Sequence, residues 1–102
     1  MSKTIWQTTN RLPENEPNTD NANDYAQSQL LAGASDDGRY VYDVVYLIEQ
    51  KCFVLTMMDI NAEWGFIEHE KRLHLLTRAA LLQSIALFQA APQRVFENHE
   101  QS

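Results

Sequence analysis

Arg39-Tyr40-Val41-Tyr42-Asp43-Val44-Val45-Tyr46-Leu47-Ile48 decides the fold. Nearly every side chain in this stretch is β-branched or aromatic, the types that fit a pleated surface. Alternation puts Tyr40, Tyr42, Val44, Tyr46 and Ile48 on one face of a strand, and Val41, Asp43, Val45 and Leu47 on the other. Both faces are largely apolar, so the strand is expected to be interior or covered on both sides. After Glu49-Gln50-Lys51 comes a second run of the same character, Cys52-Phe53-Val54-Leu55-Thr56-Met57-Met58. Three polar residues between two such runs predict a hairpin over 39–58. One long helix over 40–58 is the weaker reading, because crowded β-branched and aromatic side chains lose rotamer freedom in a helix.

Toward the N-terminus, Ser35-Asp36-Asp37-Gly38 is a dense turn signal. Asp24 and Gln27 resemble a capping box, which predicts a short helix over about 25–34, apolar at Leu30 and Leu31 and weakened by Gly33. The stretch 13–24 holds four acids, no base and no large apolar side chain, so it is expected to be a mobile acidic loop or linker. Thr4-Ile5-Trp6-Gln7-Thr8-Thr9 predicts a short strand over 4–9 with Ile5 and Trp6 as anchors.

Toward the C-terminus, Trp64-Gly65-Phe66-Ile67 predicts a brief strand over 64–67. A long helix is expected over 68–91, stopped ahead of Pro92, with a frayed tail at 97–102. At about 100° per residue, Leu73, Leu76, Ala80 and Leu87 fall on one side of it, with Leu75 and Leu82 beside them and Leu81, Ile85 and Phe88 further round. A helix apolar nearly all round is buried on more than one side. Self-association through Leu75, Leu82, Ile85 and Leu87 is therefore expected, and so is a homodimer. The competing reading is a folded-back tail in which Val95 and Phe96 cover the strip. The fold class expected is α+β: one domain over 1–102, with a small antiparallel sheet packed against the long helix and the short helix nearby.

The chain has 102 residues and a net charge of −6, from 14 acids against 8 bases. That balance argues against direct nucleic-acid binding. The single cysteine, Cys52, sits in an apolar run and is read as a packing residue, which excludes a disulfide-stapled scaffold. Met1-Ser2-Lys3-Thr4-Ile5-Trp6-Gln7 turns polar too soon for a signal peptide, and Asp43, Glu49 and Lys51 interrupt the longest apolar stretch. A cytoplasmic location with no membrane contact is expected.

No motif for chemistry survives a geometric test. Gly33-Ala34-Ser35-Asp36-Asp37-Gly38-Arg39-Tyr40 has the two glycines of a phosphate loop, but lacks its Lys-Ser/Thr and puts acids where phosphate must sit. On a helix, His69 and His74 lie five residues and about 140° apart, so they cannot share a metal. Asp20-Asn21-Ala22-Asn23-Asp24 hints at a calcium loop, yet the twelfth position is Leu31 instead of Glu. No catalytic residue, metal or cofactor is expected. The function expected is a small acidic protein-binding module, an inhibitor or adaptor that occupies another protein's surface. Its contact residues are Asp36, Asp37, Tyr40, Tyr42, Tyr46, Trp64 and Phe66, because aromatic rings offer contact area at low entropic cost. Two alternatives belong to other classes. One is a nucleic-acid mimic that inhibits a DNA- or RNA-binding protein. The other is a small ligand-binding or enzymatic domain, which requires an enclosed pocket between sheet and helix.

Overall fold

The structure, a computed structural model, describes residues 6–9, 12, 13, 15–18, 20–26, 29–61 and 63–97. Among these residues, five antiparallel strands follow one another in spatial order β1-β2-β3-β4-β5. They are β1 Trp6–Thr9, β2 Leu31–Ser35, β3 Tyr40–Leu47, β4 Cys52–Ile60 and β5 Ile67–Leu75. Among the described residues, three helices accompany them: α1 Ala22–Tyr25, α2 Arg78–Ala90 and α3 Pro92–Glu97. The α+β class stands. The hairpin is β3 and β4, paired from Tyr40 with Asp59 to Leu47 with Cys52. Its reversal places Lys51 at φ 55.

The helix expected over 25–34 is replaced by the single turn α1 and by β2. Asp24 lies inside α1, whose N-cap is Asn21, while Gln27 falls outside the described residues. Gly33 explains the change. A Cβ there would overlap the Tyr42 ring, its cross-strand partner. The small residues of Leu31-Ala32-Gly33-Ala34-Ser35 thus give the tyrosine room against the sheet, a packing demand that overrides local helix preference.

The long helix over 68–91 is also corrected. Its first half is β5, paired with β4 from Phe53–Leu75 to Asp59–His69. An interior strand such as β4 has backbone groups to satisfy on both sides, and β5 supplies the second ladder. Its nine residues alternate between the two faces of the sheet, so His69 and His74 point to opposite sides. The helical half starts where the Thr77 hydroxyl oxygen accepts the Ala80 N–H at 3.1 Å. The Glu16 carboxylate reinforces that end, accepting the Arg78 N–H at 3.1 and 3.2 Å. The brief strand expected over 64–67 is loop except for Ile67, the first residue of β5. At the other end of the sheet order, β1 begins at Trp6; Thr4 and Ile5 lie outside the described residues.

One face of the sheet carries the core. Tyr40, Tyr42 and Val44 of β3 and Phe53, Leu55 and Met57 of β4 meet Leu81, Ile85 and Phe88 of α2 and Phe96 of α3. The helix residues recur at i, i+4 and i+7, a single stripe, and each fully buried side chain of this size contributes about 1.5–3 kcal/mol. The connection between β1 and β2 closes the lower part of the same face with Leu12, Tyr25 and Leu30. The Tyr25 ring meets Tyr46 and Phe53, and its hydroxyl donates to the Asn15 carbonyl. Trp6 Nε1 donates to the Gln89 carbonyl at 3.3 Å and Gln89 Nε2 to the Tyr42 hydroxyl at 3.2 Å, tying β1 and β3 to α2. Among the described residues no helix is long and apolar enough to cross a membrane.

Candidate functional site

Two connections come together at the end of the sheet where β3 begins and β4 stops. Residues 36–39 join β2 to β3, and residues 61–66 join β4 to β5. They sit side by side because Tyr40 pairs with Asp59 and the Arg39 carbonyl accepts the Ile60 N–H at 2.6 Å.

The first connection is wired from within. Ser35 Oγ donates to Asp37 Oδ1 at 2.6 Å, the Arg39 N–H donates to the same oxygen at 3.0 Å, and Gly38 takes φ 74. Those hydrogen bonds, the serine's foremost, hold the Asp37 carboxyl below the ordinary carboxylate range. Asp36 and Asp37 both face solvent.

The second connection is organised by Asn61. Its side-chain oxygen accepts the N–H groups of Glu63 at 2.9 Å and Trp64 at 2.7 Å, while its Nδ2 donates to Glu68 at 2.8 Å. The Asn61 backbone bonds to Phe66 and Gly65, each at 2.8 Å, and Gly65 takes φ 78, where a side chain would be strained. The loop so held presents Trp64 at 74% and Phe66 at 52% exposure. Indole and phenyl rings in water at a braced loop tip have the character of interface anchors.

Beneath the two connections lies Asp59, only 5% exposed. Arg39 Nε contacts its Oδ1 at 3.2 Å, and His69 Nδ1 lies 3.2 Å from its Oδ2. The Arg39 guanidinium also stands 5.0 Å over the Tyr40 ring, and the His69 ring lies 5.7 Å from that of Phe96. Asp59, Glu68 and His69 bring possible ligand atoms within 4.8 Å of one another. With Arg39 on one aspartate oxygen and Asn61 on Glu68, the trio acts as a brace joining β3, β4, β5 and α3, and the guanidinium charge opposes a divalent cation.

The other residues singled out from the sequence separate by burial. Tyr40 and Tyr42 lie beneath α2 and α3, and half-buried Tyr46 packs on Phe53, so the tyrosine ladder belongs to the core. Burial raises the pKa of all three tyrosines, further keeping them neutral. Of the self-association residues, Ile85 is buried and Leu75 packs against the core from β5. Leu82 and Leu87 are 42% and 63% exposed, but at about 140° apart on α2 they form no common strip. Phe96 folds back onto Tyr40 and Phe88, the arrangement expected of a returning tail. Between sheet and helices the space is filled by Tyr42, Phe53, Leu55, Met57, Leu81 and Phe88, each essentially without solvent contact.

None of the candidate residues expected from the sequence lies on the opposite face of the sheet. Asp43, Val45, Leu47, Val54, Thr56 and Met58 lie there, outside the core cluster, and with Glu70, Arg72 and His74 line a shallow hollow of about 450 Å³. The signal was present in the two-sided apolar pattern of β3 and β4. No family model, curated protein or solved structure matches this chain.

Proposed function

We propose that this protein is a small acidic protein-binding module that docks through the loop end of its sheet. Trp64 and Phe66 would insert into an apolar pocket of the partner while Asp36, Asp37, Glu63 and Glu68 face basic residues around its rim. The observation that carries this reading is the Asn61-clamped loop, which fixes the backbone beneath a 74% exposed indole. A preorganised anchor loses little conformational entropy on binding, and tryptophan is the side chain most enriched among interface anchors. The acids around it give charge complementarity and speed encounter with a basic partner. The filled layer between sheet and helices favours a surface function over an enclosed catalytic pocket.

The test is capture from the native host on immobilised protein, comparing wild type with Trp64→Ala and Phe66→Ala. A protein retained by wild type and lost by both variants, all three showing the same circular dichroism, is the expected result. Identical captured sets from all three would refute the loop as the docking element. Binding that collapses on raising salt, with the aromatic variants still active, would instead favour a nucleic-acid mimic built on the acids.

A further inference from the structure

β5 is an edge strand. Among the described residues it pairs with β4 and has no ladder on its outer side. Bonded and non-bonded pairs alternate along an antiparallel ladder, so a single bond fixes which backbone groups point which way. The Arg39 carbonyl accepts the Ile60 N–H across the Tyr40–Asp59 pair. That makes Val41–Met58, Asp43–Thr56 and Val45–Val54 the bonded pairs of β3 and β4. β4 therefore turns the backbone groups of Phe53, Leu55 and Met57 to β5, where they meet Leu75, Leu73 and Lys71. What remains on β5 points outward: the N–H and carbonyl of Glu70, Arg72 and His74, all three exposed residues. Open groups at this spacing are a template for one more strand.

The edge has a hollow on each side of the sheet. On the helix side, Glu68, His69, Glu70, Lys71 and Phe96 line a space of about 190 Å³, with the His69 and Phe96 rings 5.7 Å apart. On the opposite side, Glu70, Arg72 and His74 stand beside Val54, Thr56 and Met58 along the shallow hollow of that face. Side chains of an added strand alternate between these two spaces. A second copy of this chain fits the edge poorly. The antiparallel register in which Glu70 faces Arg72 of another copy also sets Lys71 against Lys71, like charges directly opposite.

We propose that β5 is a docking edge for an extended segment of another protein, added antiparallel as one more strand of the sheet. This surface is separate from the Trp64 loop and does not depend on it. The segment's residues opposite Glu70, Arg72 and His74 exchange backbone hydrogen bonds with them. Their side chains lie on the face away from the helices, where Glu70 takes a base and Arg72 an acid. The residue opposite His69 turns to the helix side and puts an aromatic ring into the hollow beside Phe96. The segment thus carries an acid, a small apolar residue, a base and an aromatic residue in consecutive positions. Backbone bonds supply the affinity; the two charges and the ring supply the register.

The test uses the capped peptide Thr-Val-Glu-Val-Lys-Phe-Thr, titrated into the full chain and followed by amide chemical shifts and hydrogen exchange. Half-saturation is expected on the order of 100 µM, with the amides of Glu70, Arg72 and His74 gaining roughly tenfold protection. A peptide with its Glu and Lys exchanged is expected to bind wild type roughly tenfold more weakly. The double variant Glu70→Lys, Arg72→Glu should restore its binding. N-methylation separates strand pairing from mere adhesion. At the peptide's Glu or Lys it abolishes binding; at the Val between them, whose N–H points away from β5, it leaves binding intact. No saturation up to ~1 mM would overturn the proposal. So would an equal response to the exchanged peptide, or loss of binding from the Val methylation. Amides of Glu70, Arg72 and His74 that exchange as slowly in the free protein as those of Lys71 and Leu73 would overturn it too, since the edge would then already be paired.

Discussion

The Asn61 side-chain oxygen accepts the backbone N–H of Trp64 at 2.7 Å, so the most exposed tryptophan of the protein stands on one of its best-braced loops. Three side-chain hydrogen bonds converge on this one asparagine. Order at a solvent-facing aromatic residue is what distinguishes a binding anchor from a stray hydrophobe.

Asn61→Ala removes those three bonds from an exposed loop and should cost about 1–2 kcal/mol of stability. The sharper readout is local. Backbone order parameters at Glu63 and Trp64 should fall to about 0.6 or below while the β4 values hold. Unchanged values at Trp64 would mean the loop is braced by other means.

Gly33→Ala should destabilise by about 1–3 kcal/mol, because the added methyl meets the Tyr42 ring and the tyrosine is itself pinned by Gln89. Thermal melting should show a drop of several degrees. Pairing the change with Tyr42→Leu should give a loss smaller than the sum of the two single losses. Strict additivity would show that ring and methyl do not compete.

Leu82→Glu and Leu87→Glu should leave stability within about 0.5 kcal/mol of wild type, since both side chains already face water. Ile85→Ala, one turn away on the buried stripe, should cost about 2–5 kcal/mol. Chemical denaturation distinguishes these outcomes. A large loss from either leucine would reinstate α2 as an interface.

The depressed Asp37 carboxyl sets an acid dependence. Its folded-state value lies below its unfolded one, so its contribution is complete above the ordinary value near 3.9. That contribution is lost as the pH falls through the folded-state value. Ser35→Ala removes the largest cause of the shift. Denaturation midpoints measured from about pH 6 down to about pH 2 should therefore decline less at the acid end for the variant. Parallel curves would show that the Ser35–Asp37 bond is not maintained in solution.

The hairpin was legible residue by residue. Runs of β-branched and aromatic side chains over 40–47 and 52–58 leave no good helical alternative, and their alternation sorted Tyr40, Tyr42 and Tyr46 from Val41, Asp43 and Val45 correctly. Trp64 and Phe66, expected from the sequence in a brief strand, are exposed on a loop instead. Leu31–Ser35 and Ile67–Leu75 were not legible as strands. Their alanines, leucines and charged residues suit a helix at least as well.

What the sequence by itself determined is the central hairpin, its two pleated faces and the turn chemistry at Asp37-Gly38, because these rest on preferences acting within a few residues. Tertiary structure alone decided that the flanking segments become strands, and which face of the hairpin the helices cover. Those choices depend on backbone donors and acceptors along β3 and β4 that must find partners, and on a Tyr42 ring that needs a glycine beneath it. Such demands arise only once distant segments meet, and local propensities of a few tenths of a kcal/mol per residue yield to them.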